Sequence, residues 1–256
     1  MIAARDILHH YSYRPVLRGV SFDIEAGELV AVMGPNGTGK STILGLVAGT
    51  LWPLEGSIEI GGVRRRDSER AELEIRQKMV YLPDHPWLPT RASGHEFLAA
   101  VGEMYGVAPK RILEHIEQLL DVFNLKEQAR TAISRYSNGQ KKKLAIAAAL
   151  IADAELLVLD EPFTGGIDPE GMHALKAILA KLAADENRTV LIASQIPEIV
   201  AQIAHRILFL KDADTLESKS IAELEAATPA GGHIANTIGE IISPKRVAHL
   251  DSYLDR

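Results

Sequence analysis

Three short clusters in this sequence have residue types and spacing suited to phosphate chemistry. Gly34-Pro35-Asn36-Gly37-Thr38-Gly39-Lys40-Ser41-Thr42 fits G-x-x-x-x-G-K-[ST] and follows directly on an apolar run at 29–33. Its glycines let several backbone N–H groups converge on phosphate oxygens, and a helix starting there adds the positive end of its dipole. Lys40 then reaches the β and γ phosphates of a nucleotide, and Ser41 offers its hydroxyl to Mg²⁺. A second apolar run, 156–159, ends in Asp160-Glu161-Pro162. Beyond the carboxyl end of a parallel strand, Asp160 faces the metal beside Ser41 and Glu161 faces an attacking water as its base. An apolar run ending in Asp-Glu is often a surface turn; the phosphate loop upstream favours the chemical reading. The third cluster, Tyr136-Ser137-Asn138-Gly139-Gln140, opens a helix and ends twenty residues before Asp160. Alone, Ser-x-Gly-Gln at such a place is a helix N-cap.

The elements that must position these clusters follow an α/β pattern. Continuous apolar runs at 29–33, 156–159, 189–193 and 207–210 read as strands buried on both faces of a parallel sheet, separated by helical stretches. Alternating patterns at 20–24 and 57–60 read as half-exposed antiparallel strands near the N-terminus. Residues 93–152 carry helical periodicity throughout, including 111–123 and 139–152, and so read as a helical insert. Residues 220–227 predict one short helix, 228–232 a flexible break, and no functional reading attaches to 228–256.

Composition bounds the rest. The chain has 256 residues, 28 Lys plus Arg against 34 Asp plus Glu, a net charge of −6, 46% hydrophobic residues and no cysteine. That is enough apolar material for a large core and excludes a disulfide scaffold. The longest apolar run, 144–152, falls well short of the roughly 18 residues that a membrane-spanning helix needs. The N-terminus lacks the basic start and long apolar stretch of a secretory signal, so the expected location is cytoplasmic. The acidic total argues against a surface built to bind nucleic acid, and none is expected as a partner.

In letters, order and spacing, the three clusters resemble the motifs of ATP-binding cassette (ABC) ATPases, whose usual signature is L-S-G-G-Q; the likeness runs from about residue 5 to 212. It implies a P-loop NTPase with a RecA-like core, an N-terminal antiparallel β subdomain and an inserted helical subdomain. The cassette is expected over 1–215, with core 1–84 and 153–215, helical subdomain 85–152, and a tail of unknown role at 216–256. The cofactors implied are ATP and Mg²⁺. The family's head-to-tail dimer, here homo- or heterodimeric, places each ATP between the phosphate loop of one cassette and Ser137, Asn138, Gly139 and Gln140 of the other. By the same likeness Tyr11 stacks on adenine, with Tyr13 as its rival, and Asp168 belongs to a loop that crosses the interface.

Four departures bear on rate. Asp84 stands where a glutamine usually senses Mg²⁺ and γ phosphate; a carboxylate suits the metal and repels phosphate, so metal contact alone is expected. Gln195 replaces the switch histidine and can donate a hydrogen bond but cannot pass a proton. His205, in a helical stretch, reads as a packing or surface residue. Asn138 replaces the first signature glycine, and an extra residue separates Glu161 from Asp168, through Gly165-Gly166. Slow ATP hydrolysis is the expectation. The stretch 81–98 looks most like exporters with separate permease chains, which implies integral membrane partners and a peripheral place on the cytoplasmic membrane face. Trp87 and Leu88 suit either permease contact or local packing. An ATP-gated binding cassette that hardly hydrolyses, and a soluble ABC ATPase outside transport, remain the alternatives.

Overall fold

The computed structural model describes residues 1–243; residues 244–256, the end of the stretch without a functional reading, lie outside the described residues. The chain begins with β1 (Ile2–His10), β2 (Pro15–Ile24) and β3 (Leu29–Met33), then α1 (Lys40–Ala48), β4 (Glu55–Ile60), β5 (Val63–Arg64), α2 (Glu69–Lys78) and β6 (Met79–Leu82). A helical region follows, with α3 (Gly94–Met104), α4 (Pro109–Val122) and α5 (Asn138–Ile151). The chain then alternates through β7 (Leu156–Asp160), α6 (Pro169–Ala183), β8 (Thr189–Ala193), α7 (Pro197–Ile203), β9 (Arg206–Leu210), β10 (Leu216–Ser220), α8 (Ile221–Ala227) and α9 (Ile234–Ile242).

The larger sheet has the order β10-β9-β3-β8-β7-β6, parallel from β9 to β6 with β10 antiparallel at the edge. Its apolar runs alternate between two cores, as strands covered on both faces must. Leu29, Ala31, Met33, Leu157 and Leu159 enter the core shared with the helical region, while Val30, Val32, Leu156 and Val158 enter the core under the smaller sheet. That smaller sheet, β2-β1-β4-β5, is antiparallel.

Three elements depart from the sequence pattern. β1 is central in the small sheet although its residues do not alternate; its pairing shifts register between Ala4 and Ile7, where Asp6 has φ +51°, and a bulge of this kind destroys period two. β10 is polar after Leu216 and pairs with β9 over Leu216–Ser220, so the cut expected at residue 215 falls inside a β-hairpin. His205 is not helical. It sits in the bend before β9, where its Nδ1 accepts the Leu29 N–H at 3.0 Å.

Candidate nucleotide site

The phosphate loop, the Asp160-Glu161 pair and Gln195 lie at one end of the large sheet, because β3, β7 and β8 run parallel and the loops leaving their carboxyl ends share an edge. The phosphate loop leaves β3. A Cβ at Gly34 would stand 2.2 Å from the Leu210 carbonyl oxygen, and Gly39, with φ +108°, would press one onto Val16 at 2.8 Å, so the loop keeps its tight path only with glycine there. Lys40 opens α1, is buried, and its Nζ donates to the carbonyls of Gly34 at 3.0 Å and Pro35 at 2.9 Å. Burial lowers its pKa against the opposing pull of Glu161 and Asp160. Thr38 Oγ1 closes the loop onto the Pro35 carbonyl.

Asp160 ends β7 and Glu161 follows it, both buried. Burial raises the pKa of each; hydrogen bonding from Ser41 pulls Asp160 the other way, and the Gln195 amide does the same for Glu161. Gln195, just beyond β8, donates Nε2 to Glu161 Oε1 at 2.9 Å. Asp160 Oδ1 and Glu161 Oε2 remain buried with no hydrogen-bond partner among the described residues. Glu161 is also held at φ +45°, rare for a residue with a Cβ, and a marker of functional strain that sequence reading missed. A buried carboxylate oxygen without a donor, beside a hydroxyl, fits a hard divalent cation that would take its other ligands from phosphate and water.

Tyr11 is 64% exposed, directs its hydroxyl to Thr42 Oγ1 at 3.2 Å and meets His9 edge to face; Tyr13 is wholly exposed. Asp84 follows the β6 end, and its carboxylate is engaged by Lys142 Nζ at 3.5 Å and His85 Nδ1 at 3.1 Å. Trp87 stands out at 83% exposed while Leu88 is buried, so the pair divides between surface and core.

The Ser137 cluster is both an N-cap and more. Ser137 Oγ accepts the Gln140 N–H at 3.2 Å, and Gln140 Oε1 accepts the Ser137 N–H at 2.9 Å, a reciprocal capping box that leaves the Ser137 O–H able to donate. Gly139 is pressed against the loop after Glu161: a Cβ there would stand 2.3 Å from the Gly166 carbonyl oxygen. Gly165 and Gly166 absorb the extra residue of that loop at φ +78° and +88°. Asp168 caps α6 by accepting the Gly171 N–H at 2.8 Å and pairs with Lys143 Nζ at 2.7 Å, which lowers its pKa. Tyr136, where the family has leucine, is buried and donates its hydroxyl to the Gln128 carbonyl at 2.7 Å.

Over the phosphate loop opens a cavity of about 790 Å³, walled by Gly34, Pro35, Asn36 and Gln195 and, on its far side, by Gly239, Ile241 and Ile242 of α9. Nothing in the sequence pattern tied the C-terminal stretch to this site.

A glycine loop between a parallel strand and a helix, a buried lysine, and two carboxylates at the end of β7, the next strand but one, define a P-loop ATP-binding ATPase. The chain belongs to the ABC transporter family, whose profile matches residues 17–164. It is 34% identical over 230 residues to the energy-coupling factor transporter ATP-binding protein EcfA of Methanothermobacter thermautotrophicus, covering 88% of this chain and 72% of that one. It is 33% identical over 210 residues to the Nod factor export ATP-binding protein I of Rhizobium meliloti, covering 82% and 61%. The fold matches a solved dimeric structure of the cassette MJ0796 in a post-hydrolysis state bound to ADP and Pi, at TM-score 0.78, 22% identity, and 86% and 99% coverage. Among the described residues no helix is long and apolar enough to cross a membrane.

Proposed function

We propose that this chain is an ATP-hydrolysing subunit that closes on ATP with a second cassette and drives separate permease chains in export, from the cytoplasmic face of a membrane. The observation that carries hydrolysis is the pair of buried, unpartnered oxygens, Asp160 Oδ1 and Glu161 Oε2, beside Lys40. Ser41 and Asp160 would hold Mg²⁺, which supplies charge neutralisation at the phosphates. The phosphate-loop N–H groups from Asn36 to Thr42 bind the β and γ phosphates, with Lys40 leaving its loop carbonyls for phosphate oxygens. Glu161, whose pKa burial raises, orients and deprotonates the attacking water, held by the Gln195 amide. Gln195 carries no charge and passes no proton, which supports slow turnover. Tyr11 packs on adenine.

The second half of each site comes from the partner cassette, through the Ser137 hydroxyl, the Gly139 N–H and the N-terminus of α5, with Asp168 in the adjoining loop. The MJ0796 structure, a dimer bound to ADP and Pi, supports a dimer of cassettes. Export is supported by the Nod factor relative, and a permease partner by the exposed Trp87. Glu161→Gln tests the reading: with Mg-ATP it accumulates a stable dimer on size exclusion and loses hydrolysis by on the order of 10² to 10³. A variant that stays monomeric, or hydrolyses like wild type, overturns it.

A further inference from the structure

Lys142 is a buried cation that the chemistry above does not use. It lies in the first turns of α5 with its side chain only 4% exposed. A lysine so buried needs partners for its ammonium. Its Nζ donates to the Asp84 carbonyl at 3.1 Å and lies 3.5 Å from Asp84 Oδ1. Its methylenes form the bed of the loop after Glu161, where a Cβ on Gly165 would meet Lys142 Cδ at 3.6 Å. One side chain therefore touches the β6 loop, the signature helix and the loop leading to Asp168. A cavity of about 770 Å³ opens between these same three segments. The charges of Asp84 and Lys142 are both felt at Asp160, in opposite senses, so the link reaches the metal side of the chain's own site.

We infer that Lys142 is the positioning residue that makes an aspartate workable at position 84: it neutralises that carboxylate and ties the loop at the metal side of one ATP site to the helix that serves the other. This rests on the head-to-tail dimer proposed above. In such a dimer, residues 84–88 answer to the chain's own nucleotide and α5 to its partner's. The Lys142–Asp84 bond is the one charged side-chain contact between them among the described residues. A glutamine at 84 would need no counter-ion; an aspartate near Asp160 and the phosphates does.

The test uses the full chain in the Glu161→Gln background, comparing Lys142→Met, Lys142→Arg, Asp84→Asn and the Asp84→Asn/Lys142→Met double variant. Binding of a fluorescent ATP analogue to the monomer and Mg-ATP-dependent dimerisation by sedimentation are both measured. Lys142→Met should leave monomer affinity within about twofold and weaken dimerisation about tenfold, because the phosphate loop is intact and the signature helix is no longer held. Lys142→Arg, which keeps the charge, should stay within about threefold of the reference, and the double variant should be no worse than Lys142→Met, since both substitutions cut one link. Unchanged dimerisation in Lys142→Met, losses that multiply in the double variant, or a parallel loss of nucleotide affinity would each overturn the inference, the last by revealing a merely structural lysine. A reference protein that stays monomeric with Lys142 intact contradicts the dimer reading itself, and is thereby distinguished.

Discussion

At the end of β7, Asp160 and Glu161 each leave a carboxylate oxygen buried without a partner, whereas around the first turns of α5 the polar side chains of Ser137, Gln140, Lys142 and Lys143 have all found one. The two regions are the two halves of one composite site in the dimer we propose, and they are built to opposite rules. Unmet buried polar groups cost folding free energy, on the order of 1–3 kcal/mol each, and mark where a ligand or ion completes the structure. Satisfied groups fix a surface before it meets a partner, so less ordering is needed on binding. The phosphate-loop half is thus made to receive, and the signature half to be presented.

That contrast is broken most severely by Lys40→Ala and Gly139→Ala, in different ways. Lys40→Ala should lose hydrolysis by about 10³ and weaken ATP binding by the isolated chain, as measured by titration with a fluorescent analogue. Gly139→Ala, whose Cβ would strike the Gly166 carbonyl, should lose hydrolysis to a similar degree while the isolated chain still binds ATP. Equal losses of nucleotide affinity in both would erase the distinction between the halves.

Gln195→His sharpens the receiving half. Restoring an imidazole beside Glu161 Oε1 should raise steady-state turnover about tenfold and add a pH dependence in the range where histidine titrates. An unchanged rate and a flat profile would remove Gln195 as the cause of slow hydrolysis.

The smallest effect is on stability. Because burial raises the folded-state pKa of Glu161, the folded chain binds that proton more tightly than the unfolded chain does. Wild-type stability therefore falls as pH rises from the ordinary carboxylate range through the raised value. Without ligand, Glu161→Gln should melt about 2–4 °C above wild type at pH 7.5, the shift that roughly 1 kcal/mol gives in a chain of this size, and the gap should close near pH 4. A variant less stable than wild type at pH 7.5 would show that the carboxylate is not left short of partners.

Much of this was legible in the sequence where burial is two-sided. The runs at β3, β7, β8 and β9 are apolar because both sheet faces are covered, and the residues that end them follow from strand polarity. What stayed hidden lies where that logic lapses. β1 carries a bulge, β10 is a polar edge, and α9 reaches the cavity over the phosphate loop through tertiary packing alone. The strain at Glu161 and the Lys142–Asp84 pair are likewise products of three-dimensional approach between residues 58 positions apart or at a single backbone angle, for which no periodicity exists.

The central claim, that each chain brings one receiving and one presenting half, is tested most directly by mixing. Lys40→Ala has a spoiled phosphate loop with a sound signature, and Gly139→Ala the reverse. A mixed dimer of the two holds one site with both lesions and one site with none. Mixed one to one, two proteins that are each inactive should recover about a quarter of the wild-type ATPase rate, since half of the dimers are mixed and half of their sites are intact. A mixture as inactive as its components would contradict the account.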